Sequence, residues 1–369
     1  MPTSSPIIKR AVDAWVNKDI SFSEEMETYR RRTLLKILFI AVCIIGVVLV
    51  AGYTLTIGDY PIGFWHSYEV LWNHIIGNPI DANEDFIIWR VRLPRIFTGI
   101  LAGIGLAICG AVMQSILKNP LADSYTTGVS SGASFGATLA IACGFSVVDA
   151  GGYAIVANAF VFSLIPVMVI LSVAKMRGAS PVTMIMAGIA IMYVFNATTT
   201  LIKLSVSDAT LSSIFDWSVG SLDNSSWQQV YIMGVFVIAG SIVMQLSARK
   251  LNVLSTGDES AKSIGINSNR LRMLCMFVVS LIAASIVSFT GMIGFIGLVC
   301  PHIVRLILGS DNRYLIPASA AFGAVLLTAA DLVGRTVIAP DMIPVGVITS
   351  FIGGPLFLWL IIKKKKEVW

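Results

Sequence analysis

Few residues in this chain are of a type that does chemistry, and they fall into two groups. Asp258, Glu259 and Lys262 lie within five positions of one another in "KLNVLSTGDESAKSIGINSNRLRM" (residues 250–273), bracketed by Gly257 and Gly265. Arg92, Arg95 and Arg335 are three cations at the edges of long apolar runs. The first group reads as a docking knob for a soluble partner, and neither group assembles a reaction. There is no G-x-x-x-x-G-K-[ST] loop to cradle a nucleotide and no H-E-x-x-H pair, so no catalytic residue is expected. His66, His74 and His302 and the five cysteines (43, 109, 143, 275, 300) lack metal-ligand spacing, which predicts no metal site and buried, unpaired cysteines.

The elements that must carry these charges are membrane helices. Of 369 residues only 13% are charged and 56% are hydrophobic, a balance incompatible with an ordinary water-soluble surface. Nearly charge-free runs occur at 37–57, 96–117, 128–148, 151–174, 182–202, 230–246, 273–304, 315–330 and 345–362. The run 273–304 is too long for one crossing of a core about 30 Å thick, and "TGMIGFIG" in its middle divides it. The predicted fold is an all-α polytopic membrane protein with ten spans.

Ten spans place both termini on one side. With both termini cytoplasmic, 21 of the 26 Lys and Arg fall on the cytoplasmic side, as the positive-inside rule requires. The net charge of +5 is thereby a topology signal and calls for no nucleic-acid partner. No cleavable signal peptide is expected, because the first 30 residues are polar and the run after them is long enough to span. A coupling carboxylate at mid-membrane, the mark of ion-driven transporters, is also missing; Asp331, at the end of its span near Arg335, reads as a structural pairing.

Three regions organise the chain: a cytoplasmic lead-in (1–33), a ten-helix domain (34–362) and a basic tail (363–369). In the lead-in, Ile8, Val12, Trp15 and Val16 recur at helical spacing, which fits either a surface helix or a disordered tail. Outside the membrane, "GFWHSYEVLWNHIIG" and "LSSIFDWSVGSL" (211–222) have the lengths of short surface helices. Gly128, Gly132 and Gly136 share one helix face and predict close backbone packing. In the segment 250–273, Thr256 and Glu259 fit a capping box, Gly257 to Ile264 makes about two turns, and Gly265 suits a C′ position. "INSNR" offers a second N-cap, so two short helices are expected to stand off the cytoplasmic surface as a docking knob.

Five stretches carry a resemblance: "RLPRI" (92–96), "GAVMQSILKNPLADSYTTGVSSGASFG" (110–136), "LSTGDESAKSIGI" (254–266), "GMIGFIGLVCPHIVRLILGSDNR" (291–313) and "PVGVITSFIGGPLFLWLI" (344–361). In this order they resemble the FecCD-type permeases of ABC importers for iron-siderophores, haem and cobalamin. The resemblance implies a homodimer in the cell membrane, with its path on the two-fold axis. Its partners would be two cytoplasmic ATPase subunits, which bind the ATP and Mg, and one extracytoplasmic substrate-binding protein; this chain would bind no cofactor.

By the same resemblance, the loop matching 254–266 is the coupling helix, with Gly257, Asp258, Glu259, Lys262 and Gly265 at the ATPase. Arg92, Arg95 and Arg335 would face the binding protein; the alternative is that the "RLPR" arginines anchor a helix end. The cytoplasmic gate would lie at Asn119, Leu121, Pro181 and Val182, although "SPVT" departs from the small hydroxyl residues of the cobalamin permease. Met184, Met186 and Met192 would give an adaptable pathway wall, or plain packing. An iron(III)-siderophore chelate is the expected cargo, with haem and cobalamin as alternatives.

Overall fold

The computed structural model describes residues 6–363 except 59, 79, 149 and 150, with side chains in the first helix described from Arg30 onward. The side chains of Ile8, Val12, Trp15 and Val16, and the whole of the tail 364–369, lie outside what the structure describes.

Ten helices stand where the ten apolar runs predict them. They are α1 (Pro6–Thr54), α4 (Leu93–Leu117), α5 (Val129–Cys143), α6 (Ala154–Arg177), α7 (Pro181–Lys203), α9 (Trp227–Thr256), α11 (Ser268–Thr290), α12 (Ile296–Leu308), α13 (Asn312–Thr336) and α14 (Val345–Lys363). Seven of the described helices are long and apolar enough to cross a membrane, and α5, α12 and α14 are shorter apolar helices. The other four are α2 (Phe64–Ile75), α3 (Ala82–Phe86), α8 (Asp208–Ser218) and α10 (Asp258–Ser263). Helices α2 and α8 fall on the two stretches expected to form short surface helices.

The core is built around α4. Its sequence is apolar on every face, so it sits inside the bundle, packed on α13, α9, α12 and α11. A π-helical turn (Ile87–Arg92) feeds directly into it from α3, and Lys118, in the left-handed region at φ 49°, ends it. The glycine face of α5 packs as expected: a Cβ on Gly132 or Gly136 would overlap the carbonyls of Phe162 and Asn158 on α6.

The predicted break in the run 273–304 is real. Gly291 ends α11, residues 291–295 are non-helical, and α12 begins only at Ile296. Thirteen residues make about 20 Å of helix, so α12 is too short to cross a hydrocarbon core of about 30 Å by itself. Irregular backbone inside such a core must find partners within the protein. It does so by stacking the breaks on one another, with Ser221 N–H donating to Thr290 O (2.8 Å) and Gly346 N–H to Gly220 O (3.1 Å).

Candidate coupling site and transport face

The segment 254–266 is a knob with its own stop signals. Thr256 is the last residue of α9, and its hydroxyl donates to Val253 O (2.8 Å), so it completes a helix instead of capping the next one. Gly257, at φ 137° and ψ 155°, is the reversal point. The helix that follows, α10, is held by buried Ala261 and closed at Gly265 (φ 83°), where Gly265 N–H donates to Lys262 O and Ile266 N–H to Ala261 O. Asn267 then caps α11 by accepting from Arg270 N–H (3.0 Å). The expected pair of short helices is therefore corrected to one: the second cap starts a long span.

Side chains divide sharply across α10. Glu259, Ser260, Lys262, Ser263 and Ile264 are exposed, and Ile264 is an apolar side chain 68% open on a polar knob. Asp258, itself half exposed, reaches the buried guanidinium of Arg272, with Nη1–Oδ2 at 2.8 Å and Nη2–Oδ1 at 2.7 Å, while Lys118 Nζ lies 3.3 Å from Oδ1. The bonds from Arg272 hold the Asp258 carboxyl below the usual carboxylate range, so the ion pair is lost only as pH falls through that lowered value. Arg272 was not singled out by its spacing. The signal for it was an arginine one turn inside an apolar helix, a place that demands a buried partner.

The expected gate residues lie on two adjoining pieces of chain. Asn119 and Leu121 belong to the loop 118–128, where Asn119 Oδ1 accepts from Leu121 N–H (3.0 Å). That loop packs on α7, with Gly188 against Thr126 and Thr127, and Ile191 against Gly128. Pro181 and Val182 open α7 after Ser180, whose hydroxyl accepts from Thr183 N–H (3.1 Å). Leu121 and Val182 are both exposed.

Down α7 an apolar face stays open: Val182, Met186, Ile189, Tyr193, Val194 and Leu201. Of the three expected wall methionines, Met186 lies on this face and Met192 is half-buried, whereas Met184 is buried in the core. A hollow of about 540 Å³ lies where the helix breaks stack, lined in part by Met292, Ser350 and Phe351.

At the end of the bundle where α1 finishes and α4 begins, the arginines expected to face a partner are buried, and that expectation is corrected. Arg92 donates to Leu55 O (2.8 Å) and Tyr60 O (2.6 Å), and Arg335 to Ile57 O. Arg95 pairs with Asp331 and Asp223. Orphan carbonyls at the end of α1 and a buried carboxylate need these donors, so the helix-end anchor is the reading the geometry favours. Trp227 joins the same end, donating from Nε1 to Trp89 O (2.7 Å). Four of the five cysteines are buried as expected; Cys143, at the end of α5, is exposed.

The sequence profile of the FecCD transport family matches residues 38–363. This chain belongs to the FecCD transport family. An ABC transporter permease of Methanocaldococcus jannaschii is 43% identical over 93% of this chain and 99% of its own length. The hemin transport permease of Yersinia pestis is 33% identical over 88% of this chain and 96% of its own. The structure of an inward-facing ABC transporter assigned to the metal-chelate type superposes with a TM-score of 0.77 at 29% identity, covering 88% of this chain and 99% of that one. Relatives 34–37% identical over 80–87% of this chain are named for cobalamin (Halobacterium salinarum), ferric citrate (Bacillus subtilis) and molybdate (Haemophilus influenzae). The protein is accordingly a multi-pass membrane permease of a FecCD ABC importer.

Proposed function

We propose that this FecCD permease forms the translocation path for an iron(III) chelate. Two copies pair through the open face of α7, the path runs between them, and both termini are cytoplasmic. A binding protein delivers cargo at the outer end, whose rim is shaped by the buried Arg92, Arg95 and Arg335. Two separate ATPase subunits, which bind the ATP and Mg, seat α10 in a cleft through Glu259, Lys262 and Ile264, with Gly257 and Gly265 fixing its angle and Asp258 tying it to the permease. Shape carries much of that contact, since exposed ion pairs alone are worth little. ATP then closes the ATPase pair and moves α10, and the spans exchange inward- and outward-open states.

The observation that carries the reading is α10 itself: a short helix set between two glycine reversals with an exposed polar face and one exposed isoleucine. Relatives named for hemin and ferric citrate support iron as the cargo. Uptake of labelled ferric siderophore, with labelled cobalamin in parallel, in cells with and without the chain tests it. Loss of iron uptake alone is the expected result; loss of cobalamin uptake alone would replace the cargo and leave the path and the coupling site in place.

A further inference from the structure

Arg272 does more in this structure than balance one carboxylate. Its guanidinium is 1% exposed and serves three separate pieces of chain. Nε donates to Ile116 O at the end of α4 (3.1 Å), Nη1 to Ala179 O in the turn before α7 (3.2 Å), and Nη1 and Nη2 together to the Asp258 carboxylate that begins α10. The two carbonyls are of the kind that would otherwise lack partners, one in the last turn of a helix and one in a tight turn. A guanidinium can satisfy all three at once because its donors form a rigid planar fork.

Each of the three attachments has a distinct place in the molecule. Asp258 is the first residue of the exposed knob. Ile116 precedes Leu117 and Lys118, which lead into the loop carrying Asn119 and Leu121. Ala179, wholly buried, is followed by the α7 cap Ser180 and then by Pro181 and Val182. The residues at the head of α7 and those of the 118–128 loop are thus one or a few positions from atoms that share a single side chain with α10.

We infer that Arg272 is a positioning residue for coupling: it ties α10 to the α4 end and to the α7 turn, so that a displacement of α10 reaches both sides of the cytoplasmic opening through one rigid group. This rests on the reading of α10 as the ATPase contact. Within that reading it assigns the transmission to one arginine and its Asp258 partner, where the exposed face of α10 serves docking alone. Lysine at 272 keeps the charge and loses the fork, so it holds at most part of the junction. Asparagine at 258 removes the charged partner from a half-exposed site, where the fold has little reason to fail.

The test uses the complete transporter, with its own ATPase subunits, in lipid nanodiscs. Exposed Cys143 is replaced by serine, and Val182→Cys reports the α7 turn through its rate of labelling by a water-soluble maleimide, with and without ATP and vanadate. In the parent the nucleotide changes this rate. In Arg272→Lys and in Asp258→Asn the ATPase still co-purifies in full amount, while the nucleotide-dependent change shrinks by about tenfold, in line with the energies that link coupled sites. Ser260→Ala, exposed on the same helix and outside the named docking residues, leaves the change intact. An unaltered nucleotide response in Asp258→Asn overturns the inference, and so does an equal loss in Ser260→Ala. If Arg272→Lys does not assemble, Asp258→Asn alone decides. Should the ATPase fail to contact α10 in the parent, shown by absence of cross-linking from Ser263→Cys, the underlying reading of α10 falls first and separately.

Discussion

Arg95 and Asp331, 236 positions apart in the sequence, meet in a two-point ion pair where the start of α4 lies beside the end of α13. The Arg95 Nη2–Asp331 Oδ1 distance is 2.8 Å, and Nε lies 3.1 and 3.2 Å from the two carboxylate oxygens. Both side chains are nearly inaccessible. Asp223, from the turn before α9, adds a second carboxylate to the same guanidinium. One arginine so fastens three separate parts of the chain.

Removing Asp331 leaves the buried Arg95 with only the half-exposed Asp223 as charged partner, a loss of up to about 3–5 kcal/mol, whereas replacing both members of the pair by apolar residues of similar size costs far less. Asp331→Ala is expected to lower the melting temperature of the purified permease in detergent clearly. The double variant Arg95→Met, Asp331→Leu should recover most of the loss. A single variant as stable as the parent would show that the pair is solvated and carries little.

Ile264 is the side chain of the knob whose exposure has no internal reason, since an apolar group on a polar surface gains only when a partner covers it. Ile264→Ser should leave the amount of permease in the membrane unchanged and reduce the ATPase retained on affinity purification, by about tenfold if the side chain becomes fully buried at the contact. Full retention would place the contact elsewhere on α10.

How much of this was legible beforehand follows from what period and composition encode. The ten runs, the break at "TGMIGFIG", the glycine face of α5 and the caps at Gly265 and Asn267 are local signals, and each appears where it was read. Thr256 misled because a hydroxyl near a turn serves equally to finish one helix or to start another, and here the backbone of α9 runs on to claim it. The arginines misled differently. An arginine at a span edge looks the same in sequence whether it faces water or a ring of carbonyls, and the partners of Arg92, Arg95, Arg272 and Arg335 lie dozens to hundreds of residues away or across a turn. Long-range pairing of this kind has no period to betray it.

Helices α2 and α3 are joined by histidine–carboxylate contacts. His66 Nδ1 lies 3.0 Å from Glu69 and Nε2 2.7 Å from Glu84, and His74 Nδ1 lies 2.7 Å from Asp85. The bonds to Glu69 and then Glu84 raise the His66 pKa above its ordinary 6.5. The sign follows: the added tie is complete below the ordinary value and is lost as pH rises through the raised one. Hydrogen exchange in residues 64–86, corrected for intrinsic rates, should therefore quicken between pH 6 and pH 9, and His66→Gln should flatten the trend. An equally steep trend in that variant would assign it to another group.

Gly257 joins α9 to α10 at φ 137° and ψ 155°, a backbone region that residues with a Cβ scarcely occupy and that costs of order 1–3 kcal/mol to hold. Gly257→Ala leaves the chain two ways out. It can pay that strain, or it can let the start of α10 rotate, which takes Asp258 off Arg272 and turns Glu259 and Ile264 away from their present directions. Rotation is the cheaper course, because α10 has few anchors besides Ala261 and the Asp258 pair. The expected outcome is normal membrane insertion, faster hydrogen exchange confined to residues 255–266, and weaker retention of the ATPase. Gly309→Ala is the control: it also has a positive φ (85°), at the end of α12, with no atom near enough to meet a new Cβ. It should cost comparable stability and leave ATPase retention untouched. Equal loss of retention in both variants would mean that general destabilisation, and not the set of α10, governs the contact.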